Sequence, residues 1–291
     1  MKDLFTKNWI IDNSIEIVSQ YEKGILTLRS LHYQLVGRGM TNDIPHYKRV
    51  VNAMIEARWA GQVDFDQFSD LDREMVGETQ YEETILEDQI ENGKGQVEAW
   101  MNHYAKNKWE NQDYYIEVFI EKKALQGVFQ SVCRKNEVAL GACKGYPSLT
   151  FLNEAQIRFA QAENAGKIPV IIYFGDYDPS GEDIPRSIQE NMSRFGVNVI
   201  VNRIALMENQ VNDWNLPHAP AKLTDSRTAN WDGIGQVELD AVRPEQLITM
   251  CSDAITSYLD IDKYHELKVI EKAEALLYKR ALKEYVNSIQ D

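Results

Sequence analysis

The chain has 291 residues, and 44 % of them are apolar, which is enough for a substantial hydrophobic core in one large domain or two ordinary ones. Its 31 Lys and Arg stand against 45 Asp and Glu, and a formal net charge of −14 argues by itself against a nucleic-acid ligand, because phosphates attract cations. With no apolar run of membrane length, no recognisable signal peptide, and three cysteines that fit neither a disulfide framework nor a zinc site, the composition predicts a soluble cytoplasmic protein without a membrane span.

The first 75 residues predict a small helical domain. Apolar residues recur at helical spacing in three stretches, and Thr27 is placed to cap the second of them. A short alternating segment at residues 63–68 then favours a strand. Three helices followed by such a strand are typical of a winged helix-turn-helix, which we assign to residues 1–75. The three predicted helices cover residues 10–21, 27–37 and 45–60.

Residues 76–112 are polar and rich in charge, and they predict a helical linker with Trp100 and Trp109 as anchors. From residue 113 onward, short apolar strands alternate with helices at a spacing typical of a parallel sheet with helices on both faces. The fold class is therefore α/β plus all-α, with residues 113–291 forming the α/β domain and its C-terminal helices. The predicted strands are 115–121, 138–142, 168–174 and 197–206, and the predicted helices are 122–135, 148–164, 180–195 and those from 244 onward.

Three acidic residues fall where predicted strands end. Glu121 closes the first strand, and Asp176 and Asp178 follow the third. Ligands of open parallel sheets bind beyond the carboxyl ends of the strands, so we expect these side chains to share one site. Carboxylates held together repel one another, and a divalent cation such as Mg²⁺ or Mn²⁺ relieves that repulsion. A simpler interpretation is a turn and helix start, where Asp, Pro and Gly are common and an acid is favoured.

Residues 175–181 read Gly-Asp-Tyr-Asp-Pro-Ser-Gly. This motif, with Glu121 at a strand end, resembles the Toprim domain of topoisomerase VI A subunits and of the related meiotic double-strand-break protein. Pro147, in Gly-Tyr-Pro-Ser, lies where that family has a turn after its second strand. The resemblance implies a Rossmann-like Toprim fold in which Asp176 and Asp178 hold Mg²⁺, while Glu121 is a metal ligand and the general acid or base.

Tyr33 lies off the centre of the apolar stripe of the second predicted helix, and Arg29 precedes it by four residues on the same face. A tyrosine beside an arginine is able to attack a phosphodiester while the cation binds the phosphate. The other interpretation is a partly buried tyrosine with a satisfied hydroxyl. His32 lies nearer the stripe, and we expect it to pack. The segment 28–33 is similar to the Arg-x-x-Tyr-Tyr pattern of topoisomerase VI A subunits, which implies that Tyr33 is the nucleophile.

Glu238 and Asp240 form a further acidic pair, after a long loop predicted at residues 214–232. We predict this pair either as additional metal ligands or as solvated acids at a strand end. Residues 24–61 carry five cations against two acids. A solvated face of mixed charge is one interpretation, and a DNA-binding face is the other, which the position of Tyr33 within this stretch favours. The five cations are Arg29, Arg38, Lys48, Arg49 and Arg58.

The resemblance is nearest to the stand-alone bacterial and mobile-element relatives called Mini-A. It implies a Mg²⁺-dependent DNA transesterase that breaks duplex DNA through a 5′-phosphotyrosyl intermediate and acts as a homodimer. It also leaves room for a separate ATPase subunit of the B type. Two alternatives stay open: a Toprim endonuclease that uses metal-activated water, of the phage-defence or plasmid-restriction type, and a DNA-binding protein without activity. We expect the net acidity to limit the affinity for DNA rather than to exclude DNA.

Overall fold

The computed structural model of the chain describes residues 4–68, 85–218, 231, 233 and 235–288. Most of the loop predicted at residues 214–232 lies outside these ranges. The described residues fall into two compact units, each built from two stretches of the sequence. The first unit joins residues 4–68 to the described residues of Tyr114–Tyr258, and the second joins residues 85–113 to residues 259–288. In the described ranges every helix is too short or too polar to cross a lipid bilayer.

Three helices open the first unit: α1 (Lys7–Val18), α2 (Leu28–Gly37) and α3 (Ile44–Trp59). Each begins at a side-chain cap, because the side chains of Thr6, Thr27 and Asp43 accept backbone N–H groups of the first turn. The predicted cap at Thr27 is confirmed. Apolar residues of all three helices, among them Leu31 and Met54, form one buried cluster.

The prediction of a strand at residues 63–68 is wrong. Phe65–Gln67 form a short 3-10 helix, and Phe68 makes a single β-bridge to Leu26. The Gln67 side-chain amide decides this, since it donates to two backbone carbonyls at the end of α1 and holds the segment against that helix. The described residues therefore supply three helices without a wing.

The centre of the first unit is a parallel sheet of four strands: β1 (Tyr114–Ile120), β2 (Ala139–Ala142), β3 (Ile168–Phe174) and β4 (Ile200–Ala205). The strand order is β2-β1-β3-β4. Most side chains of β1 and β3 are buried, as expected of parallel strands that are covered on both faces. These two strands pair from Tyr114 opposite Ile168 to Ile120 opposite Phe174. The carboxyl ends of β1 and β3 are therefore level with each other.

Five further helices belong to this unit: α5 (Gln126–Lys135), α6 (Leu149–Asn164), α7 (Pro179–Arg194), α8 (Glu208–Asp213) and α9 (Pro244–Thr256). Helices α6 and α7 pack on one face of the sheet, in a cluster that includes Phe119 and Tyr173. On the other face Phe129 of α5 contacts Phe174, and α5 packs against α9. The predicted parallel sheet flanked by helices is confirmed. β4 begins later than predicted because the N–H groups of Val197 and Asn198 donate to the Met192 carbonyl and to Glu163 Oε1, and not to a neighbouring strand.

The second unit contains α4 (Leu86–Met101) and α10 (Ile261–Ser288). Polar contacts join its two stretches, since Gln112 and Asp260 exchange two hydrogen bonds of 2.7 and 3.1 Å. The prediction of two tryptophan anchors is right for Trp109, which is buried, and wrong for Trp100, which is 63 % exposed. The physical reason is that α4 buries none of its side chains. Residues 76–84 of the predicted linker lie outside the described ranges.

An ion pair joins a buried carboxylate of the sheet to a partly exposed arginine. The Glu117 side chain of β1 is 1 % exposed, and its carboxylate accepts two hydrogen bonds from Arg158 of α6, at 2.6 and 2.8 Å. The Tyr115 hydroxyl donates a third bond at 2.9 Å. A buried carboxylate is costly unless it is paired, so Arg158 is required for the stability of this part of the sheet.

We expect Arg158→Ala to lower the free energy of unfolding by about 3 kcal/mol, because it leaves the Glu117 carboxylate buried with only the Tyr115 hydroxyl as partner. Arg186→Ala is the control, since it removes two surface ion pairs of α7 and should leave stability nearly unchanged. Urea denaturation at neutral pH measures both variants. Equal losses in the two variants would contradict the importance of the buried pair.

Candidate active site

The level ends of β1 and β3 bring Glu121 and Asp176 into contact. The Glu121 N–H donates to the Phe174 carbonyl, so the pairing of the two strands continues one residue past β1. Glu121 Oε2 accepts the Asp176 N–H at 2.9 Å and the Tyr173 hydroxyl at 3.4 Å. Both acidic side chains are buried, with 8 % of Glu121 and 7 % of Asp176 exposed. Two of the three predicted strand-end acids therefore form one buried pair.

Two glycines leave room for this pair. A Cβ atom at Gly175 would lie 2.5 Å from the Tyr173 hydroxyl and 2.8 Å from Glu121 Oε2. A Cβ atom at Gly181 would lie 2.2 Å from the Asp176 carbonyl oxygen and 3.1 Å from Glu121 Oε2. A side chain at Gly181 would collide with backbone, and one at Gly175 would displace the side chains of Tyr173 and Glu121. Both glycines of the 175–181 motif are therefore required by packing at the site, in addition to any role in a turn.

Asp178 caps α7. Its Oδ1 accepts the Gly181 N–H at 2.7 Å, and Pro179 follows at the first helical position. The turn-and-helix-start interpretation therefore describes this residue correctly. Asp178 is also close enough to the buried pair for its charge to act on Glu121, so the capping role does not remove it from the site.

The buried pair resists ionisation. Burial raises the pKa of Glu121, and the charge of Asp178 adds to that effect against the hydrogen bond from Asp176. Burial likewise raises the pKa of Asp176 to about 7, although Lys122 pulls it down. The described residues contain no ready-made group of three or more ligand side chains. The donor chemistry still fits Mg²⁺ or Mn²⁺, because carboxylates that resist ionisation are stabilised by a cation that prefers oxygen ligands.

Lys122 is absent from the residues predicted above, yet it lies at the centre of the site. Its Nζ is 3.0 Å from Asp176 Oδ2, 3.1 Å from Asp240 Oδ2 and 3.2 Å from Glu238 Oε2. Burial alone lowers the pKa of the ammonium, but the three carboxylates together raise that pKa well above its usual range. The group is therefore a permanent cation. The only sequence signal for it is its place directly after Glu121.

The predicted acidic pair, Glu238 and Asp240, reaches the site through the backbone. Tyr177 and Val237 form an antiparallel bridge of two 2.9 Å hydrogen bonds. The N–H between the two acids then donates to Asp176 Oδ1 at 2.7 Å. The solvated-acid interpretation is wrong for Asp240, which is buried because the bridge draws it under the N-terminal helices. Their role as metal ligands stays a prediction.

Arg29 of α2 joins these charges through Glu238. Its Nε and Nη2 donate to Glu238 Oε2 and Oε1, each at 2.5 Å, in the bidentate arrangement of a strong charged pair. The Thr27 hydroxyl donates to Asp240 Oδ1 at 3.3 Å. The N-terminal helices are therefore tied to the sheet at the site. We call the set of Arg29, Glu238, Lys122, Asp176 and Asp240 the ion network.

Tyr33 lies beside the ion network. It is not part of the apolar cluster of the three N-terminal helices, yet only 9 % of it is exposed. Burial, and after it the charge of Glu238, raises the pKa of Tyr33 to about 12, against the opposing effects of Arg29 and Lys122. The phenol is therefore neutral at pH 7 and must lose its proton to a base before or during any attack.

His32 packs, as predicted. Its ring lies 6.0 Å from the Tyr33 ring and 5.7 Å from the Tyr47 ring. Neither ring nitrogen has a hydrogen-bond partner among the described residues. Burial, together with the nearby charge of Arg29, lowers the pKa of His32 to about 4, so the ring stays neutral at pH 7.

The five cations predicted to bind DNA are mostly engaged within the chain. Lys48 is exposed on α3, whereas the other four have partners. A DNA-binding role for this face stays a prediction. The four contacts are Arg29 with Glu238, Arg38 with Glu16, Arg49 with the Phe5 carbonyl, and Arg58 over the Phe68 ring.

Comparisons of the chain with protein-family models, with curated proteins and with solved structures find no match. Its function must therefore be inferred from the site. The charged residues of that site come from α2, from the ends of β1 and β3, and from residues 238–240.

We expect Asp176→Asn to raise the free energy of unfolding at pH 8 and to change it little near pH 5. The raised pKa means that the native state holds a proton that the unfolded chain has lost. Stability therefore falls as the pH rises from about 4 to about 7. The amide removes that loss, on the order of 4 kcal/mol at pH 8, and Lys122 keeps its two other carboxylate partners.

Urea unfolding at both pH values, in EDTA, measures this effect. Asp213→Asn, on the exposed surface of α8, is the control and should show no such pH dependence. If Asp176→Asn destabilises the protein equally at pH 5 and pH 8, the buried carboxyl does not have a raised pKa.

Proposed function

We propose that the protein is a DNA-cleaving enzyme in which Tyr33 attacks the phosphodiester backbone. The observation that carries the proposal is the ion network, which joins Arg29, beside Tyr33, to the Glu121–Asp176 pair. Transesterification of a phosphodiester needs a nucleophile, positive charge near the phosphate and a proton donor or acceptor. The site holds a tyrosine, two cations and a buried carboxylate pair. The motifs around Tyr33 and Asp176 resemble those of topoisomerase VI A subunits, and we infer from this resemblance that the substrate is DNA.

In the proposed reaction, Tyr33 Oη forms a bond to phosphorus while the bond from phosphorus to the 3′ oxygen breaks. The products are a 5′-phosphotyrosyl end and a free 3′ hydroxyl. The phenolic proton passes to hydroxide of the solvent, and the 3′ oxygen gains one proton. Glu121 is suited to give that proton, because burial raises its pKa and favours the protonated form. Arg29 binds the phosphate and offsets its growing negative charge.

A Mg²⁺ or Mn²⁺ held by Asp176 and Asp178 would supply positive charge to the phosphate oxygens, which leaves the Glu121 carboxyl free to give its proton. The same resemblance extends the proposal to the assembly. It suggests DNA binding by the N-terminal helices of residues 1–75, a homodimer that resembles the Mini-A relatives, and a separate ATPase subunit as a partner.

A second candidate function is a metal-dependent endonuclease that uses water as the nucleophile. The burial of Tyr33 favours it, since a phenol that is only 9 % exposed must move before it reaches a DNA backbone. The Glu121–Asp176 pair is formed by the sheet alone and does not depend on α2. In this alternative Glu121 and Asp176 activate water and Tyr33 is structural.

We expect Tyr33→Phe to lower plasmid cleavage by more than about 1,000-fold and to abolish protein-linked DNA ends, because it removes the attacking oxygen. The assay is incubation with plasmid and Mg²⁺ or Mn²⁺, followed by denaturant, protease and analysis of the ends. Tyr21→Phe is the matched control, since Tyr21 is a half-buried tyrosine bonded to Gln34, away from the ion network. It should cleave as the unmodified protein does.

The Glu121→Gln variant tests whether any observed DNA cleavage comes from this site. It should abolish cleavage under either enzymatic mechanism. Cleavage with free ends that survives in Tyr33→Phe would assign the water mechanism. If the unmodified protein gives no cleavage in either metal, both candidate functions are wrong.

A further inference from the structure

The Glu238 carboxylate is held in the way that proteins hold a phosphate group. Its two oxygens accept hydrogen bonds from Arg29 Nε and Nη2, and Oε2 also accepts one from Lys122 Nζ at 3.2 Å. A guanidinium that donates two parallel bonds, next to an ammonium on the same oxygen, is well suited to phosphate oxygens. A carboxylate and a phosphodiester each present two oxygens that share one negative charge. The two groups can therefore exchange at this position.

The position is open to a ligand. Arg29 is 47 % exposed and Glu238 is 28 % exposed. Both line a cavity of about 740 Å³, together with Lys122 and Tyr47. The Tyr47 ring lies 5.6 Å from the Arg29 guanidinium and helps to orient it. A phosphate group that enters this cavity meets both cations.

Departure of the Glu238 side chain would not disrupt the rest of the site. Lys122 keeps two other carboxylate partners, at 3.0 and 3.1 Å. The backbone beside Glu238 stays bridged to Tyr177, so only the side chain has to rotate. Arg29, by contrast, has Glu238 as its one carboxylate partner within the described ranges. Its guanidinium is the group that a displaced Glu238 would leave for a new anion.

We propose that Arg29 and Lys122 form a binding site for a phosphate group, and that Glu238 occupies it until a phosphate of the ligand displaces the carboxylate. The phosphate site rests on the contacts described above. The choice of the DNA backbone as the source of the phosphate rests on the proposed function, and a free phosphate is the other source. Glu238 then acts as a brake on DNA binding, because the contact with Arg29 forms only after the carboxylate has left.

We expect Glu238→Gln to bind a short labelled DNA duplex about three to ten times more tightly than the unmodified protein at about 50 mM salt. The slope of log affinity against log salt should steepen by about one, because one more phosphate contact forms. Fluorescence anisotropy in EDTA measures both quantities without any cleavage. Glu154→Gln is the matched control, since it makes the same change in net charge on the exposed surface of α6. It should leave the slope unchanged.

The double variant Arg29→Gln, Glu238→Gln should lose the gain in DNA affinity. Such a loss would show that the gain comes from the Arg29 guanidinium. Titration with inorganic phosphate, followed by thermal unfolding, distinguishes the sources. Tighter binding of the duplex assigns the DNA backbone, whereas stabilisation by phosphate with no gain for the duplex assigns a small phosphorylated ligand. If Glu238→Gln binds neither duplex nor phosphate more tightly than Glu154→Gln does, the proposal is wrong.

If Glu238→Gln loses its cooperative unfolding transition, Glu238→Asp replaces it. That variant keeps the charge, but its shorter side chain cannot reach both cations, so a smaller gain in affinity is expected and no gain overturns the proposal. A gain in binding by a protein that cleaves no DNA would refute the proposed enzymatic function and leave the phosphate site intact.

Discussion

The site depends on one ammonium group. Lys122 is the second residue after β1, but its carboxylate partners stand after β3 and at residues 238–240. Asp176 and Asp240 are buried, and without a cation between them they would be uncompensated charges in the protein interior, which cost several kcal/mol. Because Asp240 also accepts the Thr27 hydroxyl, an acid that Lys122 neutralises also ties the N-terminal helices to the sheet. Fold and site are therefore stabilised by the same charges.

Most elements of the fold could be predicted from local patterns. The bounds of β3, 168–174, follow from a continuous apolar run, and α2 begins after the Thr27 cap. The segment 63–68 could not be predicted, because the Gln67 side chain decides its conformation through bonds to a distant helix end. The pairing of residues 85–113 with the C-terminal helix in one unit is likewise invisible to a local pattern.

The candidate site could be predicted only in part. The contact of Glu121 with Asp176 follows from elementary geometry, because the ends of paired parallel strands are level. The role of Lys122 could not be predicted from that geometry. A lysine next to an acid in the sequence is usually solvated, and the carboxylates around this one come from distant parts of the chain. The pair of Arg29 and Glu238 joins residues 209 positions apart, and no spacing in the sequence indicates it. The missing information is in each case a long-range charge contact.

The second unit is built from a stretch that precedes the sheet and a helix that follows it. On the ribosome, α4 emerges before any strand, whereas α10, against which it packs, emerges after all of them. The sheet and its acidic site can therefore fold before α4 packs against α10. A stall in translation before α10 would therefore leave the sheet and its site folded while α4 lacks the helix it packs against.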